Sequence, residues 1–189
     1  MPPRVSRGPS RRRFVTAGLA LAAGLAAGGH TPYRQWKVYR ETHLLILTAK
    51  PDPVGVRLGR LLARRLAARA PDSAAGMTRA PSYERVGSLL KSRQLDLALI
   101  PAEMARHLIR GGAPFQGIGR VPLAALVEVG DHLLVCHRDF PAAHGYRVTQ
   151  ALAGENETPR VARPTAAAGV PVHGGALAYF SGGPLPKAP

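Results

Sequence analysis

Apolar residues through the middle of the chain fall into runs whose spacing alternates between strand and helix. His43-Leu44-Leu45-Ile46-Leu47-Thr48 is a short apolar run bounded by turn residues, as expected of a strand buried on both faces. Asp52-Pro53 follows and reads as a helix start, aspartate as the cap and proline in the first helical position. From there to Ala70, apolar residues recur at helical spacing at Val54, Leu58, Leu61, Leu62 and Leu66. Arg57, Arg60, Arg64 and Arg65 fill other positions, and Pro71 stops the helix.

The same alternation continues. Ala75 to Ala80 forms a weakly marked second strand, and Ser82 caps a second helix from Tyr83 to Ser92 with Val86, Leu89 and Leu90 on one face. Gln94 to Ile100 reads as a third strand, and Ala102 to Arg110 as a third helix ending at Gly111-Gly112. Leu123 to Val129 and His132 to His137 are two further strands joined by a tight Gly130-Asp131 turn. Strand and helix in alternation predict an α/β fold: a three-layer, mainly parallel sheet with helices on both faces. The last two strands continue it as a hairpin or a crossover. After Arg138 the periodic signal fades. Gly154 to Ala168 has a linker's composition, and Val170 to Phe180 reads as a strand end followed by a short helix.

The amino-terminal stretch has a different character. Ser10-Arg11-Arg12-Arg13-Phe14 precedes a mildly apolar, Ala- and Gly-rich run from Ala17 to Ala27. A basic head, a short uncharged run and small residues at its end are the parts of a secretory signal, and paired arginines before Phe resemble its twin-arginine form. The run is shorter than the ~20 residues that span a bilayer. The expected organisation is a signal or retained anchor over residues 1–29, a linker over 30–42, an α/β lobe over 43–153, a linker over 154–169 and a carboxyl-terminal segment over 170–189. The expected destination is the periplasm.

Charge alters this picture less than its size suggests. The formal charge is +15, but five arginines (Arg4, Arg7, Arg11, Arg12, Arg13) lie in the leader, and only four lysines occur (Lys37, Lys50, Lys91, Lys187). No aromatic platform or groove-reading element accompanies the basic residues, so no nucleic acid is expected as a partner. The single cysteine, Cys136, lies in a strand-like run and reads as a buried, inert thiol. His132, Cys136, His137 and His144 match no standard zinc spacing, so no metal and no cofactor is expected. On a strand, residues 132 and 136 share a face, while 137 points to the other. No nucleophile elbow, phosphate loop or zinc-protease motif occurs, and the acids are scattered, so no enzymatic activity is expected.

Several segments, in order, resemble a known family. They are Ser82 to Ser92 running into Leu95-Asp96-Leu97-Ala98-Leu99-Ile100, then Gly111-Gly112-Ala113-Pro114-Phe115, and Leu123-Ala124-Ala125-Leu126 with Leu133-Leu134-Val135. The last is Val170-Pro171-Val172-His173-Gly174-Gly175-Ala176 with Tyr179-Phe180. The chain resembles the TAXI family of solute-binding proteins, the extracytoplasmic receptors of TRAP transporters. The resemblance implies a periplasmic-binding-protein-like fold, a small anionic solute such as a carboxylate or amino acid, and TRAP transporter membrane subunits as partners. The chain differs from the family in its loops, Thr48-Ala49-Lys50-Pro51-Asp52, Arg79-Ala80-Pro81 and Pro101-Ala102. It differs also in length, because the roughly thirty residues from Arg138 to Val170 are too few for a second lobe of ~100 residues. A single lobe is therefore expected.

In an open α/β sheet, ligands sit beyond the carboxyl ends of the strands. Two expected helix starts, near Pro53 and Ser82, would present free N–H groups there. The candidate site is thus a small anion held by Thr48, Lys50, Arg79, Ser82 and Tyr83. The competing reading is that Asp52 and Ser82 only cap helices while Lys50 and Arg79 are solvated. It corresponds to an interaction module without small-molecule binding, prone to self-association where a second lobe would sit.

Overall fold

The computed structural model describes residues 43–154, 158–165 and 168–187. The expected signal and the linker at 30–42 lie outside the described residues. Among the described residues, no helix is long and apolar enough to cross a membrane.

The chain enters at strand β1 (Leu45–Ala49), every residue of which is buried. Helix α1 (Pro53–Arg69) begins as the sequence predicts: the Asp52 carboxylate accepts from the Gly55 N–H at 2.7 Å, and proline occupies the first turn. A 3-10 turn at Pro71–Ser73 leads into β2 (Gly76–Ala80). Ser82 caps helix α2 (Tyr83–Lys91) by accepting from the Arg85 N–H. Next come β3 (Leu97–Pro101) and helix α3 (Ala102–Arg110), which ends where Gly111 takes a left-handed conformation, φ 70°. Strands β4 (Leu123–Val129) and β5 (His132–His137) follow, then helices α4 (Ala142–Leu152) and α5 (Gly174–Phe180).

The five strands form one open sheet in the order β2-β1-β3-β5-β4. β1 pairs in parallel with both β2 and β3, whereas β5 runs antiparallel to β3 and β4. The sheet is therefore mixed, which corrects the expectation of a mainly parallel one. The physical reason is the connection: a turn of two residues, with Gly130 at φ 56°, reverses the chain and leaves no length for a crossover. Strand β5 then takes the place beside β3, with Ile100 opposite Leu133, and the Ala102 N–H donates to the Asp131 carbonyl at 2.9 Å.

Helices cover both faces, giving three layers. On one face α2 and α3 bring Val86, Leu90, Ala105 and Leu108 onto Leu47, Ile100, Leu123 and Val135, with fully buried Phe115 closing the gap. On the other, α1 and α4 bring Leu62, Leu66, Val148 and Leu152 onto Ile46, Leu99, Leu134 and Cys136. Each large aliphatic side chain buried this way contributes roughly 1.5–3 kcal/mol. Alternate residues of β1 and β3 serve opposite faces, which is why both strands read as unbroken apolar runs.

The region after Arg138 holds more structure than its sequence signals. Helix α4 packs closely on α5: a Cβ on Gly175 would fall against the carbonyl of Ala142 and within 2.6 Å of the Tyr146 nitrogen. Of residues 154–169, the described ones are tied to the body. Ala162 and Glu128 exchange backbone hydrogen bonds at 2.9 Å, and the Thr165 N–H donates to the Glu128 carboxylate at 2.8 Å. The Arg65 guanidinium donates to the carbonyls of Thr158 and Pro159. Together with the pairing of Val172 to Ala125, these bonds cover the outer edge of β4, an edge that would otherwise offer unpaired N–H and C=O groups.

Candidate ligand site at the carboxyl edge of the sheet

Four connections meet at the carboxyl ends of β1, β2 and β3: the loops before α1 and α2, the direct passage from β3 into α3, and the β4–β5 turn. The β1–β2 register sets Thr48 opposite Arg79 and Ala49 opposite Ala80. The Lys50 N–H then donates to the Ala80 carbonyl at 2.8 Å, which fixes the first loop to the second. Lys50 and Arg79 are exposed, and Ser82 and Tyr83 are half-buried. These four of the five expected residues share one edge.

Thr48 is placed differently. It is fully buried, and its hydroxyl is directed to the Thr78 carbonyl at 3.4 Å and the Met77 sulfur at 3.6 Å. Helix α1 lies against it so closely that a Cβ on Gly59 would come within 2.6 Å of its methyl group. Its role is packing beneath the helix rather than facing the loops.

Beside these residues lies a polar contact that no local pattern announces. The Nε2 atom of His132 lies 2.9 Å from Oδ2 of Asp52, while Oδ1 of the same carboxylate holds the Gly55 N–H. The two side chains are only 8% and 7% exposed. A buried carboxylate needs its lone pairs occupied, and here one oxygen is spent on the cap and the other on the imidazole. The contact ties the start of α1 to the start of β5, elements eighty residues apart. Tyr83 stands nearby. Burial, then the Asp52 charge and a hydrogen bond to Asp52, push its phenol up to about 12, so it stays protonated as a donor across the neutral range.

The edge therefore divides in two. Asp52, His132 and Thr48 are committed to internal contacts, whereas Lys50 and Arg79 face outward beside the N-terminal turns of α1 and α2. Those turns carry partial positive charge, offset at α1 by the Asp52 carboxylate and at α2 by the exposed Glu84. Ser82 is already engaged: besides capping α2, it donates toward Glu84, whose carboxyl is lowered mainly by that bond.

The remaining polar residues singled out in the sequence have structural surroundings. Cys136 is fully buried beside the Ala124 carbonyl, and burial pushes its thiol well up from the ordinary range. It packs on the α1 face of the sheet, the same face on which His132 meets Asp52. His137 is lowered by burial and then by the charge of Arg93. His173 caps α5: its Nδ1 accepts from the Gly175 N–H at 3.2 Å, so Nε2 carries the proton and donates to the Phe140 carbonyl at 2.8 Å. Among the described residues, no group of three or more His, Cys, Asp or Glu side chains is placed to hold a metal ion.

By its fold, then, the chain is an α/β protein built on a mixed, open five-stranded sheet. Compared with models of known families and with curated proteins, it matches none.

Proposed function

We propose that this chain binds a small anionic solute, such as a carboxylate or amino acid, at the carboxyl edge of the sheet. It would act as a single periplasmic-binding-protein-like lobe of an exported receptor of the TAXI type, delivering solute to TRAP transporter membrane subunits. The observation that carries the reading is the Lys50 N–H to Ala80 carbonyl bond. It aligns two loops so that exposed Lys50 and Arg79 flank two helix starts at one edge. An anion there gains charge attraction from both side chains and from the partial charges of the helix ends. The ordered segments resembling the family support the receptor assignment. The described residues between Arg138 and Val170 pack on the same body, so a partner would have to supply the opposite wall of a cleft.

Titration of the whole chain with acetate, succinate and glutamate, followed by calorimetry, tests the reading. One of these anions is expected to bind, with a Lys50→Ala/Arg79→Ala variant weakening it about tenfold or more. Binding by none, or binding indifferent to both substitutions, refutes it. A second reading, an interaction module without small-molecule binding, draws on Val54. This apolar side chain at the start of α1 is 44% exposed beside the same loops. It predicts concentration-dependent self-association in sedimentation, lost in Val54→Lys.

A further inference from the structure

A second opening lies at the opposite, amino-terminal edge of the sheet, between the end of α1 and helix α4. It is a cleft of about 780 Å³. That size lies within the roughly 300–1,000 Å³ typical of small-molecule sites. Leu66 and Val148 form a buried apolar floor, and half-buried Leu44 extends it. Phe140 stands at one side with the His144 ring tilted against it, centroids 5.9 Å apart.

Charged groups of both signs border this floor, Arg69 and Arg147 from the two helices and Asp72 and Asp96 from the segments before β2 and β3. Arg147 projects from α4, exposed, and among the described residues no ion pair or hydrogen bond engages its guanidinium. Asp96, just before β3, opens to the same cleft, and its carboxyl is raised by partial desolvation against the opposing charges of His144 and Arg93. The other arginine of the lining, Arg69, is occupied by the Ala151 carbonyl at 3.1 Å. An apolar floor bordered by one unengaged cation and by the carboxylates of Asp96 and Asp72 matches a ligand bearing both charges next to a hydrophobic group. A simple anion would be repelled by Asp96 and a simple cation by Arg147.

We propose that this cleft binds an apolar α-amino acid, its carboxylate on Arg147, its ammonium on Asp96 and its side chain on the Leu44–Leu66–Val148 floor against Phe140. The site is separate from the carboxyl edge and independent of any binding there.

L-Phenylalanine is the probe, titrated into the whole chain and followed by calorimetry and by the shifts of the His144 ring protons. Two analogues lacking one charge each, 3-phenylpropionate and phenethylamine, serve as comparisons. Phenylalanine is expected to bind with a Kd of about 1 mM or tighter and both analogues about tenfold more weakly. Arg147→Glu and Asp96→Asn, both at exposed positions, are expected to weaken phenylalanine about tenfold each. The Lys50→Ala/Arg79→Ala variant is expected to leave it unchanged, which separates this site from the carboxyl edge. Absence of phenylalanine binding up to about 20 mM overturns the proposal. So does equal binding of the analogues, insensitivity to the Arg147 and Asp96 substitutions, or loss of binding in the Lys50/Arg79 variant.

Discussion

Replacing Asp52 with alanine removes its contacts to Gly55, His132 and Tyr83 at once, and the magnitudes of the first two can be separated. Loss of the cap to Gly55 costs about 1 kcal/mol, as for other aspartate caps. A further effect falls on His132, which would stay buried with its Nε2 facing no carboxylate; an unsatisfied buried polar group costs about 1–3 kcal/mol. Cap and imidazole together put Asp52→Ala at about 2–4 kcal/mol. Against a total stability of roughly 5–15 kcal/mol, that is a large loss. Asp52→Asn keeps an oxygen for the Gly55 N–H and an amide within reach of the imidazole, so it should cost less than half as much. Urea unfolding followed by far-UV circular dichroism gives each value from the midpoint and slope. A double-mutant cycle with His132→Ala isolates the pair, with an expected coupling of about 1.5 kcal/mol or more. Coupling below about 0.5 kcal/mol would mean that cap and imidazole act independently, and the clasp between α1 and β5 would be refuted.

Other parts of the fold give further tests. Gly175→Ala should destabilise by about 1–3 kcal/mol in the same urea assay, because its Cβ meets the backbone of α4; Gly117→Ala, with nothing within 4 Å of an added Cβ, should change little. His173 is lowered by burial, so the unfolded chain takes up its proton first as the pH falls. Its contribution to stability is present above the unfolded value of about 6.5 and is lost progressively below it, toward the lower folded value. His173→Gln should therefore flatten the fall of Tm between about pH 7 and pH 5; His137, lowered likewise, leaves a residual slope, and an unchanged slope would refute the assignment. Cys136 should resist a thiol reagent in the native protein at pH 8 and react fully in denaturant; rapid native labelling would contradict its burial.

Much of the element sequence was legible because each element is encoded locally. Asp52-Pro53 starts α1 as read, Ala102 to Arg110 is α3 as read, and the ranges of β4 and β5 follow directly from two apolar runs around Gly130-Asp131. Helix α4 was not legible, since its buried face is made largely of Ala143, Gly145, Thr149 and Ala151, small residues that give no apolar stripe. Lys50, Arg79, Ser82 and Tyr83 could be assigned to one edge from strand polarity alone. Thr48 could not be seen to turn under α1, because that depends on the closeness of Gly59. The Asp52–His132 contact carried no signal beyond a cap and a strand-edge histidine.

The sequence by itself determined the kind and order of the elements up to Arg138, since caps, turns and hydrophobic period act over a few neighbouring residues. Only the tertiary structure decided that β5 lies between β3 and β4, that a carboxylate and an imidazole far apart in the chain share one buried bond, and that a cleft opens at the amino-terminal edge. Those outcomes depend on which surfaces pack together once the elements exist, and no local periodicity specifies the partners.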